Sequence, residues 1–296
     1  MHKRPILLLI GADGQVGWEL QRTLAPLGQL VRATLDGRWE QAVNLADAES
    51  ITRLIRTTQP DAVINAAAYT AVDKAETERD LAQRINGDAP GLLGRLLAEP
   101  RVPVLHYSTD FVFAGTADRP YREDDEPGPI NVYGATKLDG ENQLLDSGVP
   151  ALVLRTSWVY GRYGQNFLLT MQRLLREREE LKVVDDQIGA PTWSRMLAEV
   201  SAQLIHGVLR GHIDLERQTG LYQVTGAGQT SWWGFARAIQ QASGARCKLL
   251  PIPSRDYPSP AKRPAYSVLD NGKLLDCFGL ALPDWEVSLA QCLAEV

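Results

Sequence analysis

Three glycines, in Gly11-Ala12-Asp13-Gly14-Gln15-Val16-Gly17, follow an apolar run at residues 5–10 and open a helical pattern. No other feature narrows the fold as much. Without Cβ atoms, such a loop can turn tightly, bring its backbone against an anion and pack a helix close to a strand. The N-terminus of that helix offers free N–H groups and a partial positive charge. Strand, glycine turn and helix in this order predict a dinucleotide pyrophosphate site at Gly11, Gly14 and Gly17.

The pattern continues as an alternation. β-type runs at residues 5–10, 30–35, 61–65, 102–108 and 152–156 are separated by helical periodicity at 15–27, from 47, at 77–98 and at 131–146. Pro90 is expected to kink the third of these helices. Residues 115–129, rich in acids, Pro and Gly, read as an exposed loop. The expected fold class is α/β, a Rossmann-type doubly wound parallel sheet with ligands bound at the carboxyl ends of its strands. After residue 161 the pattern changes to amphipathic helices at 166–178 and 194–210, with short strands and loops rich in Gly, Pro and Trp. The expected division is a dinucleotide-binding domain over 1–160 and, over 161–296, mostly a smaller α/β substrate-binding lobe. The chain is expected to return to the main sheet near 221–224.

Composition removes several function classes. Thirty-one basic against 36 acidic residues give a formal charge of −5, the wrong sign for a protein that holds nucleic acid by general electrostatics. The longest apolar run, residues 6–10, is far below the roughly 20 residues a membrane helix needs. Lys3-Arg4-Pro5 precedes that run, but Gly11 ends it before a leader peptide could form. The expectation is a cytoplasmic protein without a membrane partner. Cys247, Cys277 and Cys292 are too few and too scattered for a disulfide framework or a zinc centre, and read as free thiols.

A second motif carries chemistry. Tyr133 and Lys137 form YxxxK, placing a phenol and an ammonium on one helix face. A phenol with an ordinary pKa near about 10 is brought toward neutrality by a nearby cation, and can then exchange a proton. Thr109, at the carboxyl end of the fourth predicted strand, is the expected hydroxyl partner of Tyr133 and of a substrate carbonyl. Ala66, Ala67 and Ala68 end the third predicted strand and would let a flat ring lie against the backbone. At the end of the second, Asp36 favours NADH, whereas Arg32 and Arg38 favour NADPH. Asn44 and Leu45 could cover the adenine.

These pieces, in this order, resemble the extended short-chain dehydrogenase/reductases that act on nucleotide sugars. Further segments bring the chain close to the dTDP-4-dehydrorhamnose reductase family over nearly its full length. They include residues 65–76 (NAAAYTAVDKAE), 106–110 (HYSTD), 155–160 (RTSWVY), 186–192 (DQIGAPT) and 261–264 (AKRP). The resemblance implies hydride transfer from NADPH or NADH to the C4 ketone of a dTDP-linked 6-deoxyhexose. Tyr133 would protonate the oxygen, Lys137 would hold the ribose and Thr109 would orient the ketone. It also implies that Gly14, Gln15 and Val16 line the pyrophosphate, and that Ala66, Ala67, Ala68 and Tyr107 contact the cofactor. Thr109, Asp110 and Trp158 would meet the sugar nucleotide, with Lys262 and Arg263 at its diphosphate. Some relatives are associated with Mg2+ and with homodimers; Glu19 and the run 177–180 are the candidate acids.

Two alternatives stay open at this stage. One is an epimerase or dehydratase on the same scaffold. Dehydratases of this branch usually place a Glu after the Thr-Asp pair, where this chain has Phe111. The other is a non-catalytic regulator, like a regulatory subunit of methionine adenosyltransferase that keeps the fold. The intact Thr109, Tyr133 and Lys137 argue against it.

Overall fold

The computed structural model describes residues 4–295, so the basic residue Lys3 lies outside the described residues. The strands are β1 (Ile6–Ile10), β2 (Gln29–Thr34), β3 (Gln41–Ala42), β4 (Ala62–Asn65), β5 (Val104–Thr109), β6 (Ala151–Thr156), β7 (Val159–Tyr160), β8 (Glu180–Val184), β9 (Ile188–Gly189), β10 (Thr192–Trp193), β11 (Gly220–Gln223), β12 (Thr230–Ser231) and β13 (Lys248–Ile252). The helices are α1 (Gln15–Leu24), α2 (Ala48–Thr58), α3 (Val72–Ala75), α4 (Arg79–Gln83), α5 (Ala89–Ala98), α6 (Val132–Asp146), α7 (Phe167–Glu177), α8 (Ser194–Leu209), α9 (Leu215–Gln218), α10 (Trp232–Ser243), α11 (Gly272–Phe278) and α12 (Trp285–Ala294).

Seven strands form one parallel sheet in the order β11-β6-β5-β4-β1-β2-β3. The strand β1 is apolar throughout because helices cover both faces of the sheet. Alternate residues of β1 go to opposite cores: Leu7 and Leu9 to one, Leu8 and Ile10 to the other. The first core is closed by Leu20 and Leu24 of α1 with Leu197, Leu204 and Ile205 of α8. The second is closed by Ile51 and Leu54 of α2 with Leu93 and Leu97 of α5. The chain order reverses between β1 and β4, which are neighbours in register Ile10↔Asn65. At such a switch point the loops after the two strands diverge and leave a crevice.

Much of the rest of the chain builds a third core around Tyr160, Leu168, Met171, Trp193, Phe235 and Trp285. It is framed by α7, α10, α12 and the parallel pair β8–β13. Residues 194–224 do not belong to it. Helix α8 packs on α1, and β11 pairs with β6 in the main sheet.

Two local expectations are refined. Residues 79–98 form one unbroken helical run that is not regular: α4, a π-helical turn at Arg84–Asp88, and α5 with Pro90 directly after that turn. Proline lacks the N–H that would continue an α ladder, and the widened turn ahead of it accommodates the break. The widened turn also brings the Asn86 carbonyl against Gly140 of α6, where a Cβ would sit 1.9 Å from that oxygen. Residues 115–129 are not simply exposed either. Tyr121 is buried, stacked on Phe113 at 4.2 Å, and its hydroxyl accepts the backbone N–H groups of Gly115, Thr116 and Ala117.

Candidate active site

A cleft of about 430 Å³ opens at the switch point. Its wall brings together Gly11, Gly14, Gln15, Val16, Ala66, Ala67, Ala68, Tyr107, Tyr133 and Lys137. Gly11 has φ +82°, and a Cβ there would meet the Ala67 nitrogen at 2.7 Å. Only glycine lets the two loops approach this closely. Gly14 caps α1 without a side-chain bond, so the first-turn N–H groups remain free for an anion. A bare helix terminus beside a cradle that a Cβ would fill fits the pyrophosphate of a dinucleotide.

The floor is held by side-chain bonds from below. Asn86 accepts the Tyr69 N–H at 2.8 Å and donates to the Tyr69 carbonyl at 3.1 Å, and it also bonds Thr136 of α6. Asn131 caps α6 by accepting the Gly134 N–H at 2.7 Å. The cap sets the first turn of α6, from which Tyr133 and Lys137 project. Lys137 is 2% exposed; its Nζ donates to the Tyr107 carbonyl at 2.6 Å and faces His106 Nε2 at 3.2 Å.

Tyr133 stands edge-on to Phe111, with ring centres 5.8 Å apart. Burial pushes its phenol up to about 12; the neighbouring Thr109 hydroxyl works the other way and the Asp110 charge adds to the rise. Lys137 does not contribute the expected lowering, because that amine points at Tyr107 and His106. Tyr133 is therefore a protonated phenol throughout the neutral range. Thr109, 5% exposed, lies just behind the wall; its hydroxyl donates to Asp110 Oδ1 at 3.1 Å and accepts the Phe111 N–H at 3.2 Å.

Burial pushes the Asp110 carboxyl up to about 7, against the neighbouring hydroxyls of Ser267 and Thr109. Its unfolded value is near about 3.9. The folded state thus holds this proton longer, and the associated stability is present at low pH and lost as pH rises from about 4 through 7. Asp110→Asn, neutral at every pH, is expected to gain at least about 1 kcal/mol over the parent at pH 8, or a few degrees of melting temperature. The gain should shrink below about pH 4. Melting curves with the same difference at both pH values would contradict this.

Other expected residues stand outside the cleft wall. Gly17 lies beneath the loop. Asp36, at the second-strand terminus, accepts bonds from Arg38 Nε at 2.7 Å and Thr34 Oγ1 at 2.9 Å, which hold its carboxyl well below the usual range. Arg32 is occupied by Glu40 and lies over the Trp39 ring at 4.1 Å. Asn44 closes a local turn to Ala46, and Leu45 is buried in the core with Ile51. Trp158 has φ +45° and stacks on Trp232, ring centres 3.6 Å apart, so one indole face is already covered. The Lys262 carbonyl accepts a bond from Asn131 at 2.8 Å, while Arg263 pairs with Asp73 at 3.0 Å. This strap crosses the start of α6, and an anion at Arg263 has to compete with Asp73.

The cleft also contains residues that sequence reasoning missed: Asp13, Thr70, Ser108, Thr156, Val159 and Gln165. Thr156 is the register partner of Thr109 across β5 and β6, so the strand pattern could have pointed to it. The candidate acid Glu19 is not free for a metal. It is 3% exposed and accepts Arg195 Nε at 3.2 Å, and Arg195 also pairs with Glu295. Among the described residues no group of three or more His, Cys, Asp and Glu side chains could hold an ion, and no helix is long and apolar enough to cross a membrane.

A seven-stranded doubly wound sheet with Thr, Tyr and Lys gathered at its switch point is the architecture of the extended short-chain dehydrogenase/reductases. Within that class the chain belongs to the family described as RmlD substrate binding domain, whose model matches residues 5–296. It is similar to the dTDP-4-dehydrorhamnose reductase of Burkholderia thailandensis, 44% identical over 98% of each chain. The enzyme of that name from Escherichia coli strain K12 is 42% identical, over 98% of this chain and 97% of the relative. Among solved structures, dTDP-4-dehydrorhamnose reductase from Bacillus anthracis in complex with NADP superposes with a TM-score of 0.91 at 33% identity, covering 99% of this chain and 100% of the other. The Clostridium acetobutylicum orthologue gives 0.89 at 34% identity, covering 98% and 99%.

Proposed function

We propose that the protein reduces the C4 ketone of dTDP-4-dehydro-6-deoxy-L-mannose to dTDP-L-rhamnose, the last step of dTDP-rhamnose synthesis, using NADPH or NADH. The observation that carries this reading is the Tyr133 phenol on the wall of the same cleft as the glycine cradle, with Thr109 behind it and Lys137 one turn on. A reduced nicotinamide supplies the hydride. The chain's own groups supply the rest. The α1 N-terminus and the glycine loop hold the diphosphate, and Ala66, Ala67 and Ala68 seat the nicotinamide half. Lys137 meets the ribose hydroxyls. Tyr133 gives its proton to the C4 oxygen as negative charge develops there. Thr109 orients the ketone and receives the tyrosine's bond. The main-sheet half, including 194–224, then serves the cofactor, and the smaller core presents the sugar-nucleotide surface.

This reading uses one hydride and one proton, which matches a site with Phe111 where a dehydratase of this branch carries an acid. It is tested with purified protein, reduced nicotinamide and dTDP-4-dehydro-6-deoxy-L-lyxo-hexose. Nicotinamide absorbance should fall in step with substrate. Substrate bound without hydride consumed would reject the reductase.

Coenzyme choice follows from Asp36 and Arg38. They pair with each other, so a cofactor that uses either group has to compete with that pair. Asp36→Ala removes the acceptor for a ribose 2′-hydroxyl and frees Arg38 for a 2′-phosphate. It is expected to weaken NADH binding and to raise the NADPH:NADH preference by roughly tenfold, about 1.4 kcal/mol. Dissociation constants that move equally for both cofactors would reject the role of Asp36.

A further inference from the structure

Lys137 is buried against an imidazole whose proton position the neighbouring groups determine. Asn65 Oδ1 accepts the Ala67 N–H at 3.2 Å. Its amide is thereby oriented with Nδ2, a donor, toward His106 Nδ1 at 3.1 Å. Nδ1 is then an acceptor, so a neutral ring carries its proton on Nε2. That nitrogen faces Lys137 Nζ at 3.2 Å. Asn65 and His106 are each 1% exposed, and water does not reach between them.

An Nε2–H directed at Nζ bonds well to an amine with a free lone pair and opposes an ammonium. A neutral Lys137 satisfies every contact on the page: it accepts from His106, donates to the Tyr107 carbonyl at 2.6 Å and has one N–H left for the cleft. The surroundings agree. Burial pushes His106 well below its ordinary value, so the ring is neutral. Burial lowers Lys137 to about 8, against the charge of Glu141.

The charged and titratable groups around Lys137 do not offset this. On α6, Tyr133 is a neutral phenol, and the Glu141 charge is matched by Arg155 of β6 at 2.7 Å. β5 contributes His106, and in the turn after β5 Asp110 is pushed by burial toward its protonated form. β4 contributes the uncharged Asn65, and Asp13 of the glycine loop lies on the cleft wall.

We propose that Asn65 and His106 are a positioning pair that presents an N–H to Lys137, so that cofactor binding draws a proton from solvent onto this amine. The inference rests on the cofactor reading above. Ribose hydroxyls and a diphosphate favour an ammonium at Nζ, which must then turn from His106 toward the ligand. Protonation makes Lys137 the cation that YxxxK chemistry calls for only once the cofactor is in place.

The test is calorimetry of NADPH binding to the full chain at about pH 8, in buffers of different ionisation enthalpy; the 2′-phosphate, with a pKa near about 6, is already ionised there. Roughly half a proton should be taken up per NADPH, falling toward zero at about pH 6, where Lys137 is already charged. Asn65→Asp offers an acceptor to Nδ1 and reverses the tautomer. It should still bind NADPH but lose the uptake, whereas a merely structural role would change affinity and leave the uptake in place. A second measurement needs no variant: the ring-nitrogen NMR signals of His106 should show a neutral Nε2–H form from about pH 6 to about pH 9. Binding without proton uptake, or a proton on Nδ1, would overturn the inference and leave the reductase reading standing. No NADPH binding at all would overturn the cofactor reading, and this inference with it.

Discussion

Tyr133→Phe is expected to lower kcat by about 10³-fold, within the 10²–10⁴ that a positioned general acid contributes, while the dissociation constant for NADPH stays within about threefold. The substitution keeps the ring and its edge-on contact with Phe111 and removes only the hydroxyl. That hydroxyl is the protonated group on the cleft wall at the carboxyl end of the sheet. Thr109 does not replace it, because its own proton is directed at Asp110 Oδ1. Lys137 does not replace it either, since Nζ is turned toward Tyr107 and His106. Steady-state turnover and cofactor fluorescence check the two halves separately. Near-normal turnover would remove Tyr133 from the mechanism.

Gly17→Ala is expected to weaken cofactor binding by about 100-fold, equivalent to about 3 kcal/mol, and to destabilise the fold by about 1–3 kcal/mol through overpacking. The added Cβ would sit 1.9 Å from the Gly11 carbonyl oxygen and 2.8 Å from its carbon. Both are backbone atoms and cannot swing aside. Gly11 cannot retreat, because it is itself wedged against Ala67. Helix α1 therefore has to move out, and the free N–H groups of its first turn leave the pyrophosphate position. NADPH titration and thermal melting measure the two effects. An alanine variant with parental affinity would show that the close helix–loop packing is not what builds the cradle.

What the sequence reveals of this molecule follows from the physics of each part. The glycine loop and the apolar strands are legible because both depend on local backbone requirements and on two-sided burial. Asn131 and Asp47 are legible as caps because their side chains accept N–H groups only two or three residues away. The π-helical turn before Pro90 is not legible, because it depends on how closely Asn86 meets Gly140, 54 positions along the chain. In the same way, Tyr121 lies in an acid-rich stretch, and its burial depends on Phe113 and on the distant Leu269.

The site divides along the same line. Tyr133, Lys137 and the loop glycines announce themselves by spacing. The ties of Asp36 to Arg38 and of Arg263 to Asp73, and the Trp158–Trp232 stack, depend on side-chain geometry that spacing does not encode. They show that groups which look available for ligand are engaged before it arrives. His106 escapes sequence reasoning because a lone histidine in a strand ordinarily packs as core. Only its neighbours Asn65 and Lys137 give it a role.

The central claim is that hydride and proton meet at C4 of a dTDP-linked ketone, the proton coming from Tyr133. The most direct measurement uses NADPH deuterated at the transferred position with dTDP-4-dehydro-6-deoxy-L-lyxo-hexose, followed by mass and NMR analysis of the sugar. The account predicts dTDP-L-rhamnose with one deuterium at C4 and one oxidised nicotinamide per sugar formed. Product without deuterium, or an epimerised ketone with the cofactor unconsumed, would contradict it.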